Sequence, residues 1–362
     1  MNILIIKTSA LGDILHSLPF LFHLRSLYPE ASIDWVIEER FLSTITYLPY
    51  NVQIIPLYTK RWKKDLYSLS TWKSIKSWKE KLQKKRYDMV FDLQANIKSA
   101  FITLWAKSLV KIGFDRNSSA EWGASFPLTH AFKVGRDLPI HKRYIALEEQ
   151  FFSQSFPTNV QIPLYAKPSE QEKVKKELDP YKEQLIYMVA LGAHWPNKKI
   201  PLSLWMQFLD YIHQKSGCFF LFIWGSEQEK KEVEELQRLF PNNIVLGKLE
   251  LPIWQAWTEQ ADGLISVDSA ALHVCAITNT PSLSFFGPSS LAVYKPSGIE
   301  HIAYQGNCPY GEKFSLRCNY LRTCPTGACI TKMDIEQMKK AYEKFQQKVL
   351  EHKKESYPKK WV

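Results

Sequence analysis

The sequence has no long uncharged apolar run. None approaches the roughly 20 residues that a membrane-spanning helix requires, and the opening apolar stretch 3–6 is too short for the core of a signal peptide. We therefore expect a cytoplasmic protein. Six cysteines without a secretion signal indicate free thiols or a metal site and disfavour a disulfide framework. No Cys-x-x-Cys pair is present, which disfavours zinc and leaves a structural zinc as the alternative. We expect no bound metal at the four cysteines that lie near the C-terminus, Cys308, Cys318, Cys324 and Cys329.

Motifs of nucleic-acid-binding proteins are also missing, since there is no RNP motif, helix-turn-helix pattern or zinc finger. The net charge of +11 keeps that class as a remote alternative. Between Lys60 and Arg86, eleven Lys or Arg residues face only Asp65 and Glu80. This block predicts an anionic partner, such as a membrane surface or a phosphorylated substrate, although a solvated helix face gives the same pattern.

Short apolar runs alternate with helical patterns along most of the 362 residues. Examples are Asn2–Lys7 before Ile14–Leu27, and Leu185–Leu191 before Leu202–Gln214. This alternation is typical of α/β proteins with doubly wound parallel sheets. We expect two Rossmann-like domains whose parallel sheets face each other across a cleft. The expected boundaries are a first domain at 1–165, a linker at 166–184, a second domain at 185–335 and a basic helix or tail at 336–362.

Ligands of such sheets bind beyond the carboxyl ends of the strands, so the loops that follow the strands are the candidate sites. The first loop, Lys7–Asp13, has one glycine and therefore lacks the three-glycine fingerprint of dinucleotide-binding oxidoreductases. Asp13 stands at the predicted helix start, where the helix dipole favours its ionised form. It is a candidate general base for an attacking hydroxyl, and a simple N-cap is the alternative.

Two loops of the second half carry charged residues at the expected strand ends. Lys198 and Lys199 precede a helix, where they would hold a pyrophosphate together with the free amides of the helix start. Glu229 follows another strand and would accept hydrogen bonds from a ribose. The alternatives are loop lysines that serve solubility and an ordinary helix-start acid.

A further loop joins an apolar strand to Asp268 and Ser269. The helix after it begins with small residues, which let backbone amides approach a phosphate closely. His273 lies one turn into that helix and would also reach the phosphates. A structural histidine is the alternative interpretation.

Taken in order, these motifs resemble the bacterial heptosyltransferase family, glycosyltransferase family 9, which has the GT-B fold. The resemblance covers nearly the whole chain, and two segments, 34–39 and 60–64, are similar to the heptosyltransferase I type. The matching segments are Lys7–Pro19, Asp34–Glu39, Lys60–Lys64, Phe91–Gln94, Lys98–Ala100, Trp224–Gly225 and Asp268–Ser269 with His273. Three positions depart from the family pattern, namely Ala120, the pair Ala193 and His194, and Ala270.

The resemblance implies an inverting, metal-independent transfer of L-glycero-D-manno-heptose from ADP-heptose to a Kdo residue of Kdo2-lipid A. A heptosyltransferase II or III type would instead use a later core acceptor. Asp13 would be the catalytic base, and ADP-heptose would be a substrate, with no cofactor. The implied donor-binding residues are Ala193, His194, Lys198, Glu229, Leu249, Asp268, Ser269, Ala270, Leu272 and His273. The implied acceptor-binding residues are Ser9, Gly12, Lys60, Arg61, Lys63, Lys64, Gln94 and Lys98.

An apolar stripe at helical spacing runs through the basic block, formed by Trp72, Ile75, Trp78 and Leu82. It predicts either an interfacial helix or a helix that packs on the first sheet and leaves its lysines to meet the lipid. Both interpretations allow peripheral association with the anionic inner face of the cytoplasmic membrane.

Overall fold

The computed structural model describes residues 1–43, 45, 48, 50–157, 160, 162, 164, 166–240 and 242–360, with side chains to 355. The chain forms two compact units, Met1–Ile162 and Pro163–Val362, called here the first and the second unit. The predicted boundary at residue 165 and the last two residues of the predicted tail lie outside the described residues. In the described part of the chain, no helix combines the length and apolarity needed to cross a membrane.

The first unit is a parallel sheet with helical crossovers. Its strands are β1 (Asn2–Ile6), β2 (Ser32–Glu38), β3 (Gln53–Leu57), β4 (Met89–Asp92), β5 (Lys111–Phe114) and β6 (His130–Phe132). Its helices are α1 (Leu11–His16), α2 (Leu18–Leu27), α3 (Thr59–Lys64), α4 (Leu69–Gln83), α5 (Ile97–Trp105) and α6 (Ile140–Phe152).

The second unit repeats this design with more helices. Its strands are β7 (Ile186–Ala190), β8 (Phe219–Ile223), β9 (Asn243–Leu246), β10 (Gly263–Val267), β11 (Ser282–Phe286) and β12 (His301–Gln305). Its helices are α7 (Pro168–Leu178), α8 (Leu202–Ser216), α9 (Glu227–Leu239), α10 (Leu251–Gln260), α11 (Ala270–Thr278), α12 (Leu291–Tyr294), α13 (Ala328–Thr331) and α14 (Ile335–Lys360).

The two sheets share one strand order. They read β3-β2-β1-β4-β5-β6 and β12-β11-β10-β7-β8-β9, so within each unit the first strand lies beside the fourth. At that point the chain changes winding direction, and the loops after these two strands diverge to leave a crevice where such sheets bind ligands. The prediction of two Rossmann-like domains with parallel sheets is confirmed.

The helix predicted over 14–27 is in fact two helices, α1 and α2. The first ends at His16 and the second begins at Leu18, with Pro19 in its opening turn. Proline has no N–H to donate to a preceding turn, so it is tolerated at a helix start and not in a helix interior. The break therefore follows from Pro19, and the single-helix prediction is wrong.

The segment predicted as a linker, 166–184, contains α7. Two of its apolar residues, Val174 and Leu178, are buried in a core that also holds Ala256 and Trp257 of α10. The remaining residues of α7 are mostly charged, which hid this helix in the sequence. The segment is part of the second unit.

The predicted basic helix or tail at 336–362 contains most of α14, which belongs to the core of the second unit. Met338, Tyr342 and Phe345 are buried with strand residues such as Val189. At Gly263 in β10, an added Cβ would lie 2.5 Å from the Phe345 ring, so the glycine is what allows the helix to approach the sheet. This contact makes α14 a structural element of the sheet.

The apolar stripe of α4 packs mainly on the first sheet. Trp78 and Leu82 are buried in a core with Val36, and Ile75 packs partly against it. Trp72 is 57% exposed, and its indole N–H donates to the Leu66 carbonyl at 2.9 Å. The core-packing interpretation is therefore confirmed for Trp78 and Leu82.

Candidate active site

Asp13 lies in the first turn of α1, in the loop after β1. Its Oδ2 accepts the backbone N–H of Ala10 at 3.1 Å, and lies 3.9 Å from the ammonium of the buried Lys7. The Lys7 ammonium also lies 5.4 Å from the centre of the Tyr144 ring. The N-cap residue of α1 is Ala10 and Asp13 is the third helical residue, so the simple N-cap interpretation of Asp13 is wrong, although its carboxylate accepts the N-cap N–H. The Asp13 side chain remains 22% exposed. A carboxylate that is oriented and partly exposed has the geometry that proton acceptance requires.

Gln94 joins the loops after β1 and β4, the two neighbouring strands at the centre of the first sheet. Its side-chain oxygen accepts the backbone N–H groups of Thr8 at 2.9 Å and Ser9 at 3.0 Å. Gly12 follows in the first turn of α1. Three predicted acceptor-binding residues, Ser9, Gly12 and Gln94, are therefore brought to one crevice, where the Gln94 oxygen also holds the loop.

Asp92, at the end of β4, was missed by the sequence analysis. It is almost fully buried and accepts the N–H groups of Gln94 and Ala95 and the hydroxyls of Ser99 and Thr103. Burial raises its pKa to about 6, although these hydrogen bonds act in the opposite direction. Asp92 thereby fixes the turn that presents Gln94 and the start of α5. An aspartate at a strand end before a helix was the available signal.

Lys98 forms an ion pair that the sequence did not indicate. Its ammonium donates to Glu38 Oε1 at 2.6 Å, and the Thr59 hydroxyl, at the start of α3, donates to the same oxygen. The buried Glu38 thus draws Lys98 and α3 together. The positive charge of Lys98 is partly compensated before any acceptor arrives.

The basic residues of α3 are anchored by one aromatic side chain. Trp62 is buried, and its indole N–H donates to Ser74 at 3.0 Å. Arg61 pairs with Glu39. The side chains of Lys60, Lys63 and Lys64 are exposed. The predicted acceptor-binding cations therefore form an exposed positive ridge.

In the second unit, Asp268 is the centre of a buried network after β10. Its Oδ2 contacts the Lys198 ammonium and accepts the Ser289 hydroxyl. Burial alone would raise the pKa of Asp268, but Lys198, His273 and these hydrogen bonds hold it below its ordinary value. Lys198, predicted to hold phosphate, is therefore positioned by Asp268. Ser289 was missed, because no motif marks it in the sequence.

Ser269 and Ala270 begin α11 directly after this network. Ser269 is the N-cap, and its hydroxyl oxygen is buried with no hydrogen-bond partner among the described residues. The free amides and the positive end of a helix dipole favour an anion at this position. His273 is buried one turn later, and the Leu272 side chain is fully buried in the core.

Glu229, predicted to bind a ribose, sits against two strand-end loops. Its carboxylate accepts the Gly225 N–H at 2.8 Å and lies 3.5 Å from the Lys199 ammonium. An added Cβ at Gly192 would come within 2.1 Å of this carboxyl group. A larger residue at position 192 would therefore displace the Glu229 carboxylate from its place. The signal for this close approach in the sequence was Gly192, a glycine just after a predicted strand.

Segment 306–331 lies over the loop after β7 and adds cations that the sequence analysis did not identify. Arg322 stacks on Trp195 at 4.9 Å, and Arg317 stacks on Tyr294 at 4.8 Å. The amide of Asn197 donates to carbonyls of this segment, at 2.9 Å and 3.0 Å.

Among the other predicted donor-binding residues, His194 packs edge-on against Trp195, Ala193 is buried and Leu249 packs partly against the core.

The four C-terminal cysteines, Cys308, Cys318, Cys324 and Cys329, line one small cavity of the second unit. Burial raises the pKa of Cys329 to about 11, while the Cys324 sulfur accepts the Gly327 N–H at 3.4 Å, which lowers the pKa of that thiol. Within the described ranges, no three His, Cys, Asp or Glu side chains are arranged to hold a metal ion. All four are free thiols.

Comparison with known proteins gives consistent matches. Residues 75–322 match the model of glycosyltransferase family 9 (heptosyltransferase). Lipopolysaccharide heptosyltransferase 1 of Pseudomonas aeruginosa PAO1 is 28% identical over 327 residues, which cover 89% of this chain and 89% of that protein. Lipopolysaccharide heptosyltransferase 3 of Escherichia coli K12 is 26% identical over 296 residues, covering 79% and 82%.

One solved structure, the E. coli heptosyltransferase WaaC with ADP-2-deoxy-2-fluoro heptose, matches beyond the fold alone. It is 26% identical, with a TM-score of 0.70 over 85% of this chain and 94% of that chain. The structure of E. coli ADP-heptose lps heptosyltransferase II has a TM-score of 0.69 at 19% identity, which is a likeness of fold.

Proposed function

This chain belongs to glycosyltransferase family 9, the heptosyltransferases, and we propose that it transfers L-glycero-D-manno-heptose from ADP-heptose to a Kdo residue of Kdo2-lipid A. The observation that carries the proposal is the match to proteins named lipopolysaccharide heptosyltransferase 1 along most of both chains. The solved relative with an ADP-linked fluoro-heptose supports ADP-heptose as the donor. The reaction is a step of lipopolysaccharide inner-core biosynthesis.

The acceptor hydroxyl attacks the anomeric carbon of the heptose, with inversion. Asp13 takes the proton of that hydroxyl as the new C–O bond forms, and the bond from the anomeric carbon to the phosphate oxygen breaks with ADP as leaving group. The support is the position of Asp13, which is oriented by Ala10 N–H and Lys7 and partly exposed.

Donor phosphates bind at the start of α11. The buried Ser269 hydroxyl and the amides of the helix start donate to them, and Lys198 supplies positive charge from its place beside Asp268. Glu229 accepts from the ribose. These groups supply the charge stabilisation that a divalent cation gives in other transferases, so we propose a metal-independent reaction.

The acceptor binds to the first unit. Ser9, Gly12 and Gln94 line the crevice beside Asp13, and Lys98 with the cations of α3 receives the acidic Kdo sugars or phosphates. Because this acceptor carries a lipid, we propose a cytoplasmic enzyme in peripheral contact with the anionic inner face of the membrane.

A heptosyltransferase II or III type is the second candidate. The match to heptosyltransferase 3 of E. coli favours it at 26% identity, and it differs from the first candidate only in the acceptor. Family membership favours transfer over the remote alternative of nucleic-acid binding, for which charge was the main support.

The test is release of ADP from ADP-heptose by the purified protein, with Kdo2-lipid A or its heptosylated product as acceptor. We expect release with Kdo2-lipid A, and a fall in kcat of roughly a hundredfold or more in Asp13→Asn, which keeps a hydrogen-bond acceptor for the Ala10 N–H. Asp13→Ala removes this acceptor as well. Release only with the heptosylated acceptor would support the second candidate, and no release from folded protein would contradict the proposal.

A further inference from the structure

Large apolar side chains are concentrated at the surface of the first unit. Five of them, Ile97, Phe101, Leu104, Trp122 and Phe126, lie on α5 and on the loop after β5, and they are between 38% and 74% exposed. Those on α5 are three and four positions apart, so they share one side of the helix. We call these five residues the α5 face.

Contacts join the helix part of the α5 face to its loop part. The Phe101 ring meets the Phe126 ring edge-on at 6.0 Å, and an added Cβ at Gly123, next to Trp122, would lie 3.6 Å from Ile97. The loop is held to the helix start, because Glu121 accepts the Ile97 N–H at 2.9 Å. A surface of this kind differs from single exposed apolar side chains, which need no explanation.

Cations flank the aromatic rings. The Arg116 guanidinium lies 4.9 Å from the Trp122 ring, and the Lys79 ammonium lies 5.7 Å from Trp105, whose ring packs on Phe101. Lys111 donates to the Leu104 carbonyl at 3.2 Å. Rings at the level of lipid headgroups, with cations beside them for the phosphates, are the recurring design of interfacial surfaces.

Among the described residues of the second unit, no helix carries more than one exposed large apolar side chain. Besides Tyr310 and Tyr320 of segment 306–331, these side chains come from separate elements, namely Leu239 at the end of α9, Ile299 before β12 and Leu350 in α14. They provide a matched control, since their side chains are exposed to a similar extent.

We propose that the α5 face docks on an anionic phospholipid bilayer, with its apolar side chains in the headgroup region and Arg116, Lys79 and Lys111 on lipid phosphates. The inference rests on the proposed function, in which the acceptor is a lipid. Lys98, a proposed acceptor contact, directly follows Ile97, so the bilayer surface and the polar part of the acceptor meet at the start of α5.

Flotation of the full-length protein with phosphatidylcholine vesicles, with and without phosphatidylglycerol, tests the docking. We expect the protein to bind only the vesicles that contain phosphatidylglycerol. In the triple variant Phe101→Ser, Trp122→Ser, Phe126→Ser, the affinity for these vesicles should fall by roughly tenfold or more. The control variant, Leu239→Ser with Ile299→Ser, should bind like the unaltered protein. Circular dichroism of both variants shows whether they are folded.

A second measurement separates this proposal from the proposed function. With a deacylated, soluble acceptor the triple variant should keep its kcat/KM, while its KM for vesicle-borne acceptor rises. Equal vesicle binding by the triple and control variants would overturn the docking proposal. The proposal would also be overturned if the protein is a dimer that the triple variant dissociates while its binding to vesicles is unchanged. If the unaltered protein transfers heptose to none of the acceptors but still binds vesicles, only the proposed function is contradicted.

Discussion

Asp92 and Asp268 occupy equivalent places in the two units. Each stands at the carboxyl end of the fourth strand of its sheet, each is buried, and each precedes a helix that begins at the crevice. Their pKa values nonetheless move in opposite directions, since burial raises the pKa of Asp92 to about 6, whereas that of Asp268 is held below its ordinary value.

The two aspartates differ in whether a cation lies beside the carboxylate. Among the described residues, the partners of Asp92 are neutral hydrogen-bond donors, while Asp268 also contacts Lys198 and lies near His273. Neutral donors offset part of the desolvation of a buried carboxylate, and an adjacent charge reverses it. One topological position therefore gives a loop anchor in the first unit and an anion that positions a phosphate-binding lysine in the second.

Removing the Lys198 ammonium should destabilise the second unit more than any other change proposed below. In Lys198→Met, Asp268 is left buried without its partner, and we expect a loss of about 3–5 kcal/mol in the free energy of unfolding. Urea denaturation at neutral pH measures it. Lys199→Met is the matched control, because Lys199 is more exposed and pairs with Glu229 at 3.5 Å, and it should cost about 1 kcal/mol or less. Equal losses in the two variants would contradict the role of Lys198.

The protonation of Asp92 should make the stability of the protein depend on pH. Its pKa is raised in the folded state, so the native protein keeps this proton while the unfolded chain loses it. Its contribution to stability is full below about pH 4 and lost as pH rises through about 6. The stability of the unaltered protein relative to Asp92→Asn should therefore fall by about 3 kcal/mol over that interval.

Denaturation series at several pH values would measure this fall. Asp88→Asn, which removes an exposed carboxylate just before β4, gives the ordinary effect of losing a carboxylate in this region. A constant difference between the unaltered protein and Asp92→Asn would mean that Asp92 is ionised throughout.

The smallest expected effect concerns the hydroxyl beside Asp268. Ser289→Ala removes one donor to a carboxylate that keeps Lys198, so we expect a loss of about 2 kcal/mol and a modest rise in the KM for the donor. Ser284→Ala, which removes a weaker bond to the Ile302 carbonyl at 3.3 Å, is the control. The hydroxyl is dispensable if both variants unfold at the same urea concentration.

Periodicity predicted the architecture because most core strands are short apolar runs with helices between them. Periodicity failed to predict elements whose sequence shows no clear apolar pattern. The strands β5 and β6 are four and three residues long, too short to show a pattern, and α7 buries two of its side chains. The break between α1 and α2 depended on a single proline.

The candidate site was predicted through loops after strands, and its partners were not. Asp13, Lys198 and Ser269 were identifiable by position, whereas Glu38 and Ser289 act through contacts with residues 60 and 21 positions away in the chain. The fold brings such pairs together, so no local sequence pattern predicts them.

The packing of α14 also has a consequence for how the protein is made. The helix follows all six strands of the sheet it covers, and its aromatic side chains fill the core beside Gly263. During synthesis the first unit is complete while the part of the second core that α14 fills is still uncovered. Newly made chains should therefore depend on chaperones until α14 emerges, and a stop codon before Ile335 should yield insoluble protein with a folded first unit.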